Sequence, residues 1–161
     1  MEDLERLTRP DGETLALKRI RGSGPTVVWM GGFRSDMEGT KALALEAWAQ
    51  AQGRAFLRFD YSGHGQSSGR FEDGAIGDWL EDARVMLEST AGPQVLVGSS
   101  MGGWIALMLA RDWPEKVAGL VTIAAAPDFT RDMEEEFTAG DRDRMARDGF
   151  TVLPSDYSPE G

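Results

Sequence analysis

The chain has 161 residues, no cysteine and a formal net charge of −10, with 41% hydrophobic and 27% charged residues. That length supports one domain with a sizeable core, and the balance of apolar and charged residues excludes a disordered chain. Missing cysteines exclude disulfides and thiol catalysis, and the acidic field opposes binding to nucleic acid or to an acidic membrane surface.

The start, Met1-Glu2-Asp3-Leu4-Glu5-Arg6, is acidic where a signal peptide is basic and then apolar. No apolar run approaches the ~18 residues of a membrane span, so a cytoplasmic setting is expected. Leu4 to Arg9 reads as an imperfect strand and Glu13 to Arg21 as a better one with Leu15 and Leu17 on one face; Pro10-Asp11-Gly12 between them signals a hairpin. Thr26 to Met30 is a short buried strand running into Gly31-Gly32-Phe33. Gly39 to Gln52 is a helix with Ala44, Ala47, Trp48 and Ala51 at inward spacings, ended by Gly53. Arg54 to Tyr61 is the fourth strand and leads into the loop Ser62-Gly63-His64-Gly65. Ala75 to Ala91 is an amphipathic helix with Ile76, Trp79, Leu80, Ala83 and Leu87 inside and Asp78, Glu81, Asp82 and Glu88 outside.

Gln94 to Leu109 organises the rest. An apolar run (Val95, Leu96, Val97) meets Gly98-Ser99-Ser100-Met101-Gly102 and then an apolar helix carrying Met101, Ile105, Met108 and Leu109, stopped by Trp113-Pro114. Strand, sharp turn and helix with Gly-x-Ser-x-Gly centred on Ser100 is what a nucleophile elbow requires. The central residue is forced into a strained backbone conformation, so the positions two before and two after must lack bulk; Gly98 and Gly102 meet that need. A second match, Gly65-Gln66-Ser67-Ser68-Gly69, is followed by loop residues rather than a buried helix, and context rejects Ser67. Val117 to Ala126 then reads as a strand buried on both faces, as in a parallel sheet.

A hairpin followed by alternating strands and helices predicts an α/β, mostly parallel, doubly wound sheet; with the elbow in it the expected fold is that of an α/β-hydrolase, truncated before its last strands for the reasons given below. Residues 1–127 are expected to form the amino-terminal part of its core. From Asp128 onward 10 acidic residues stand against 4 basic ones, and 128–161 reads as the start of a lid or cap, with a solvated surface helix as the alternative.

Ser100 is thus the candidate nucleophile. The N–H of Met101, directly after it, and that of Phe33, after two glycines, are the candidate oxyanion donors; Gly31 and Gly32 as a plain tight turn is the alternative. The base is not evident. His64 is the only histidine, and it precedes the serine, whereas this architecture orders its partners serine, acid, histidine. A structural or surface role suits it better. Asp128 offers an acid with no histidine to orient. The chain is therefore expected to be the amino-terminal part of a longer hydrolase, an expectation supported by the apolar edge that Val117 to Ala126 would leave uncovered. No cofactor and no metal are called for.

The blocks Gly39-Thr40-Lys41-Ala42, Arg58-Phe59-Asp60-Tyr61-Ser62-Gly63, Val97-Gly98-Ser99-Ser100-Met101-Gly102-Gly103-Trp104 and Pro114-Glu115-Lys116-Val117 together resemble the α/β-hydrolase-domain acyl-protein thioesterases, a family that includes the mycophenolic acid acyl-glucuronide esterase. The resemblance covers about Pro25 to Gly161. It implies hydrolysis of acyl esters or thioesters, small or protein-linked, through an acyl-enzyme on Ser100, with the family's acid and histidine in a carboxyl-terminal part that this sequence lacks. The other expectation is a truncated, non-catalytic relative that binds acyl compounds or a protein partner.

Overall fold

Pro10, Asp11 and Gly12 turn the chain back on itself, with Gly12 at φ +93° and Asp11 Oδ1 accepting the Glu13 N–H at 3.0 Å. A side chain would be strained at that φ, so glycine is the fitting residue there. In this computed structural model, which describes residues 3–152, the turn joins β1 (Glu5–Thr8) to β2 (Thr14–Ile20) as an antiparallel pair. The chain then alternates β3 (Ser23–Met30), α1 (Thr40–Ala51), β4 (Arg54–Phe59), α2 (Ile76–Glu88), β5 (Gln94–Ser99), α3 (Met101–Asp112) and β6 (Val117–Ile123).

The sheet order is β1-β2-β4-β3-β5-β6. The strands β4, β3, β5 and β6 are mutually parallel neighbours, whereas β2 joins β4 antiparallel. Alternation along the strands divides the core. Val27, Trp29, Phe56 and Val97 pack with Ala42 and Ala49 of α1 on one face, while Val28, Met30 and Leu57 are fully buried on the other, the face covered by α2 and α3. From β3 the chain moves to one neighbour, β4, and then crosses to the other, β5. The carboxyl ends of β3 and β5 are thus a topological switch point, where open α/β sheets place ligands.

Three expectations need correction. The inward face of α1 is not Ala44, Ala47, Trp48 and Ala51, all of which are exposed, but Ala42, Leu45, Glu46 and Ala49. A helix this rich in alanine has no strong apolar stripe, and an ion pair decides its rotation: Arg58 of β4 is buried, and its guanidinium meets Glu46, with Glu38 at 3.0 Å. Asp82 does not face water. It is fully buried, accepting from Arg9 Nη1 at 2.5 Å and from the Ser62 N–H and hydroxyl at 2.8 and 2.7 Å, donors that replace its hydration. The last strand is shorter than expected, since Ala124 enters the left-handed region at φ +46°. It is also not buried on both faces: β6 lies at the sheet's edge among the described residues, and Val121 is 49% exposed.

From Asp128 onward the described residues form a separate compact unit. Within it, α4 (Phe129–Glu135) precedes α5 (Ala139–Asp148), which opens on a capping box. The Thr138 hydroxyl accepts the Asp141 N–H at 3.2 Å, and Asp141 Oδ2 accepts the Thr138 N–H at 2.9 Å. Gly149 closes the helix at φ +82°. The tail from Leu153, expected to be looser, lies outside the described residues.

Asp82 anchors a chain of polar contacts across the amino-terminal unit. The Ser62 carbonyl accepts from Trp79 Nε1 and from His64 Nδ1, both at 3.1 Å, and His64 Nε2 accepts the Arg34 N–H at 3.3 Å. Donor on one ring nitrogen and acceptor on the other define a neutral imidazole. Burial pushes its pKa below the ordinary 6.5, outweighing the Ser62 carbonyl and the Asp82 charge.

Two outcomes test this network. Asp82→Ala leaves Arg9 without its buried partner and should lower unfolding free energy in urea by about 3 kcal/mol; a loss below about 1 kcal/mol contradicts the burial described. His64 resists protonation when folded but not when unfolded, so its contribution to stability is full above pH ~6.5 and is lost as pH falls below it. The stability advantage of the parent over His64→Gln should therefore shrink from pH 7 to pH 5. An advantage independent of pH contradicts a buried neutral histidine.

Candidate active site

The carboxyl ends of β3 and β5 are brought together by the absence of side chains. A Cβ on Gly98 would lie 2.3 Å from the Gly102 carbonyl oxygen, and one on Gly102 would lie 2.2 Å from that of Met30 and 2.4 Å from that of Gly31. The first turn of α3 therefore sits against the end of β3, closer than any side chain allows. A Cβ on Gly32 would come 3.4 Å from Ser100 Cβ, which makes the loop after β3 a wall of the space around Ser100.

Ser100 has φ +53° and ψ −120°, a conformation that costs of order 1–3 kcal/mol for a residue with a side chain. Its backbone is held from both sides. The Ser100 N–H donates to the Ile123 carbonyl at 3.0 Å, and its carbonyl accepts from Gly103, Trp104 and Ala126 at 2.9, 3.1 and 3.2 Å. The side chain is half-buried rather than packed into the core. Met101 is the first residue of α3, so its N–H has no partner inside the helix, and the positive end of the helix dipole lies at Ser100.

The loop after β3 makes a tight turn. The Gly32 carbonyl accepts from the Ser35 N–H at 3.2 Å and from the Ser35 hydroxyl at 2.7 Å, and Arg34 takes φ +57°. The peptide linking Gly32 to Phe33 is planar and trans, so fixing its carbonyl toward Ser35 aims the Phe33 N–H the opposite way. The two alternatives for this loop are therefore compatible: it is a tight turn, and the turn fixes a donor direction. The Phe33 ring is 40% exposed and meets Phe71 edge-on with centroids 4.9 Å apart.

The remaining candidates fall elsewhere. Ser67 is a structural hydroxyl, donating to the Asp60 carbonyl at 2.7 Å and accepting the Ala16 N–H at 2.9 Å. Asp60, buried, accepts the N–H groups of Met37 at 2.6 Å and Gln66 at 2.8 Å, and so ties the loop after β3 to the loop after β4. Burial raises its pKa, and these bonds only partly offset that. Asp128 is exposed and precedes α4 at φ +57° in the second unit. Motif reading missed the roles of Ser35 and Asp60, since each acts through contacts formed only on folding. Among the described residues no helix is long and apolar enough to cross a membrane.

Residues 25–150 match the family described as serine aminopeptidase, S33. The mitochondrial palmitoyl-protein thioesterases ABHD10 of Bos taurus and Homo sapiens are each 40% identical over 156 residues, which cover 96% of this chain and 51% of theirs. A solved chain from Agrobacterium vitis S4 superposes with a TM-score of 0.91 at 40% identity, covering 99% of this chain and 67% of that one. Mouse alpha/beta hydrolase domain-containing protein 10 gives 0.87 at 39% identity, covering 96% and 62%. The chain thus spans about half the length of the curated relatives it matches. With a strand, a strained serine and a helix at the sheet's switch point, and with these matches, the chain belongs to the serine aminopeptidase S33 family and has the α/β-hydrolase fold.

Proposed function

We propose that this chain carries the nucleophile and the oxyanion donors of a serine hydrolase acting on acyl esters or thioesters. The observation that carries the reading is the backbone of Ser100, strained at φ +53° where β5 gives way to α3. A fold sustains such a conformation where it serves a function. In the proposed reaction the Ser100 hydroxyl loses its proton to a base and attacks the acyl carbonyl. The N–H groups of Met101 and Phe33 receive the negative charge on the carbonyl oxygen, and the thiol or alcohol departs to leave an acyl-enzyme. Water then attacks the acyl-enzyme, releasing the acid and restoring the serine.

His64 is not the base in this scheme: both of its ring nitrogens are engaged, with Ser62 and Arg34. The base and its acid are taken to lie outside the residues of this chain. The engagement of the sole histidine is also what favours the second reading, a non-catalytic relative that binds acyl compounds or a protein partner. A palmitoylated protein as substrate follows the names of the 40%-identical relatives. Residues 128–161 are taken as the start of a lid. A cytoplasmic setting rests on the cysteine-free sequence alone, and the relatives just named are mitochondrial.

The intact gene product should hydrolyse a palmitoyl thioester and react with a fluorophosphonate. Ser100→Ala should abolish labelling and lower turnover by at least about a thousand-fold, whereas Ser67→Ala should leave both within a few-fold. Turnover that survives Ser100→Ala contradicts the nucleophile assignment, and a folded, intact protein that neither labels nor hydrolyses supports the binding reading.

A further inference from the structure

His64 has no place in the chemistry just described, yet both its ring nitrogens are engaged and one of them meets the loop after β3. It is 4% exposed, and its ring packs edge-on against Tyr61, Phe71 and Trp79 at centroid distances of 5.8, 5.1 and 5.1 Å. One nitrogen donates to the Ser62 carbonyl, which also accepts from Trp79 and whose own residue is tied to buried Asp82. The other accepts the Arg34 N–H. That N–H belongs to the peptide directly after the one carrying the Phe33 N–H.

Two consecutive peptides of the turn are thus fixed, one from within it and one from another loop: Gly32-Phe33 through the Gly32 carbonyl by Ser35, which closes the turn, and Phe33-Arg34 through the Arg34 N–H by His64. Fixing both leaves little freedom for the Phe33 N–H to rotate, even though Arg34 sits at φ +57° and the Phe33 ring is partly exposed. Preorganised donors stabilise an oxyanion because no reorganisation is needed when the charge forms. We propose that His64 is a positioning residue that holds the oxyanion turn, through the acceptor nitrogen Nε2 on the Arg34 N–H, with Asp82 and Ser62 holding the ring in turn. The inference rests on the serine-hydrolase reading above and adds to it a role for the chain's only histidine that involves no proton transfer.

The test compares variants of the intact gene product, with turnover normalised to sites titrated by a fluorophosphonate. His64→Phe keeps the ring contacts and removes the acceptor, and His64→Gln can place an amide oxygen where Nε2 stands. We expect kcat to fall at least about ten-fold in His64→Phe with KM changed less than about two-fold, the pattern of a lost transition-state interaction, and His64→Gln to recover most of the loss. A purely structural role would lower the number of titrated sites and leave kcat per site intact. That result, or a Gln variant no better than Phe, overturns the proposal. If His64→Phe does not fold, His64→Asn, which reaches only the Ser62 side, replaces it: activity well below His64→Gln supports the proposal and equal activity overturns it. Ser100→Ala separates the two claims. An inactive Ser100→Ala beside a fully active His64→Phe removes only the positioning role, whereas an active Ser100→Ala removes the serine reading itself.

Discussion

The backbone of Ser100 is the constraint on which the rest depends. A serine at φ +53° exists only if surrounding bonds hold it there. Here the Ile123 carbonyl on one side and three N–H groups from Gly103, Trp104 and Ala126 on the other do so. The same bend forces the chain to leave the sheet at once, and the helix that follows must pass within van der Waals contact of β3. Gly102 is bare for that reason, and Gly98 because a Cβ there would meet the first turn of that helix. Sheet order completes the arrangement, because at the switch between β3 and β5 the loops that follow two parallel, non-consecutive strands leave the same edge of the sheet.

Around that bend the polar groups are arranged in depth. Ser35 and His64 fix successive peptides of the turn after β3, Asp60 ties that loop to the next, and Asp82 carries the load to Arg9 in the first hairpin. Asp82 is buried and paired with Arg9, and buried Asp60 is met by two N–H groups, so each gives geometric definition and would be costly to leave half-satisfied. The amino-terminal hairpin is therefore more than a covering edge: through Arg9 it supports the loop that bears His64.

The sequence made the strands, the hairpin and the elbow legible, because each rests on local signals: alternation, Pro10-Asp11-Gly12, and glycines at fixed offsets from Ser100. It misled where local signals are weak or are overridden at a distance. The helix Thr40–Ala51 has alanines on every face, and its rotation is set by an arginine on a strand that follows it in the chain, a partner no periodicity reveals. Asp82 was expected in water because charge normally lies there, and its donors come from Arg9 and Ser62, 73 and 20 residues away. The strand Val117–Ile123 reads as fully buried because its composition is apolar, but composition does not say which neighbours lie beside it. From its position before Ser100, His64 reads as structural or on the surface, and its burial and its acceptor bond to Arg34 depend on two loops meeting only after folding.

The most direct measurement is a crystal structure of the intact gene product after reaction with an organophosphonate. The account predicts a covalent bond to Ser100 Oγ, an unchanged backbone at that residue, and one phosphoryl oxygen about 2.7–3.1 Å from the N–H groups of both Met101 and Phe33. An adduct on another residue, or an oxygen turned away from both donors, would contradict it.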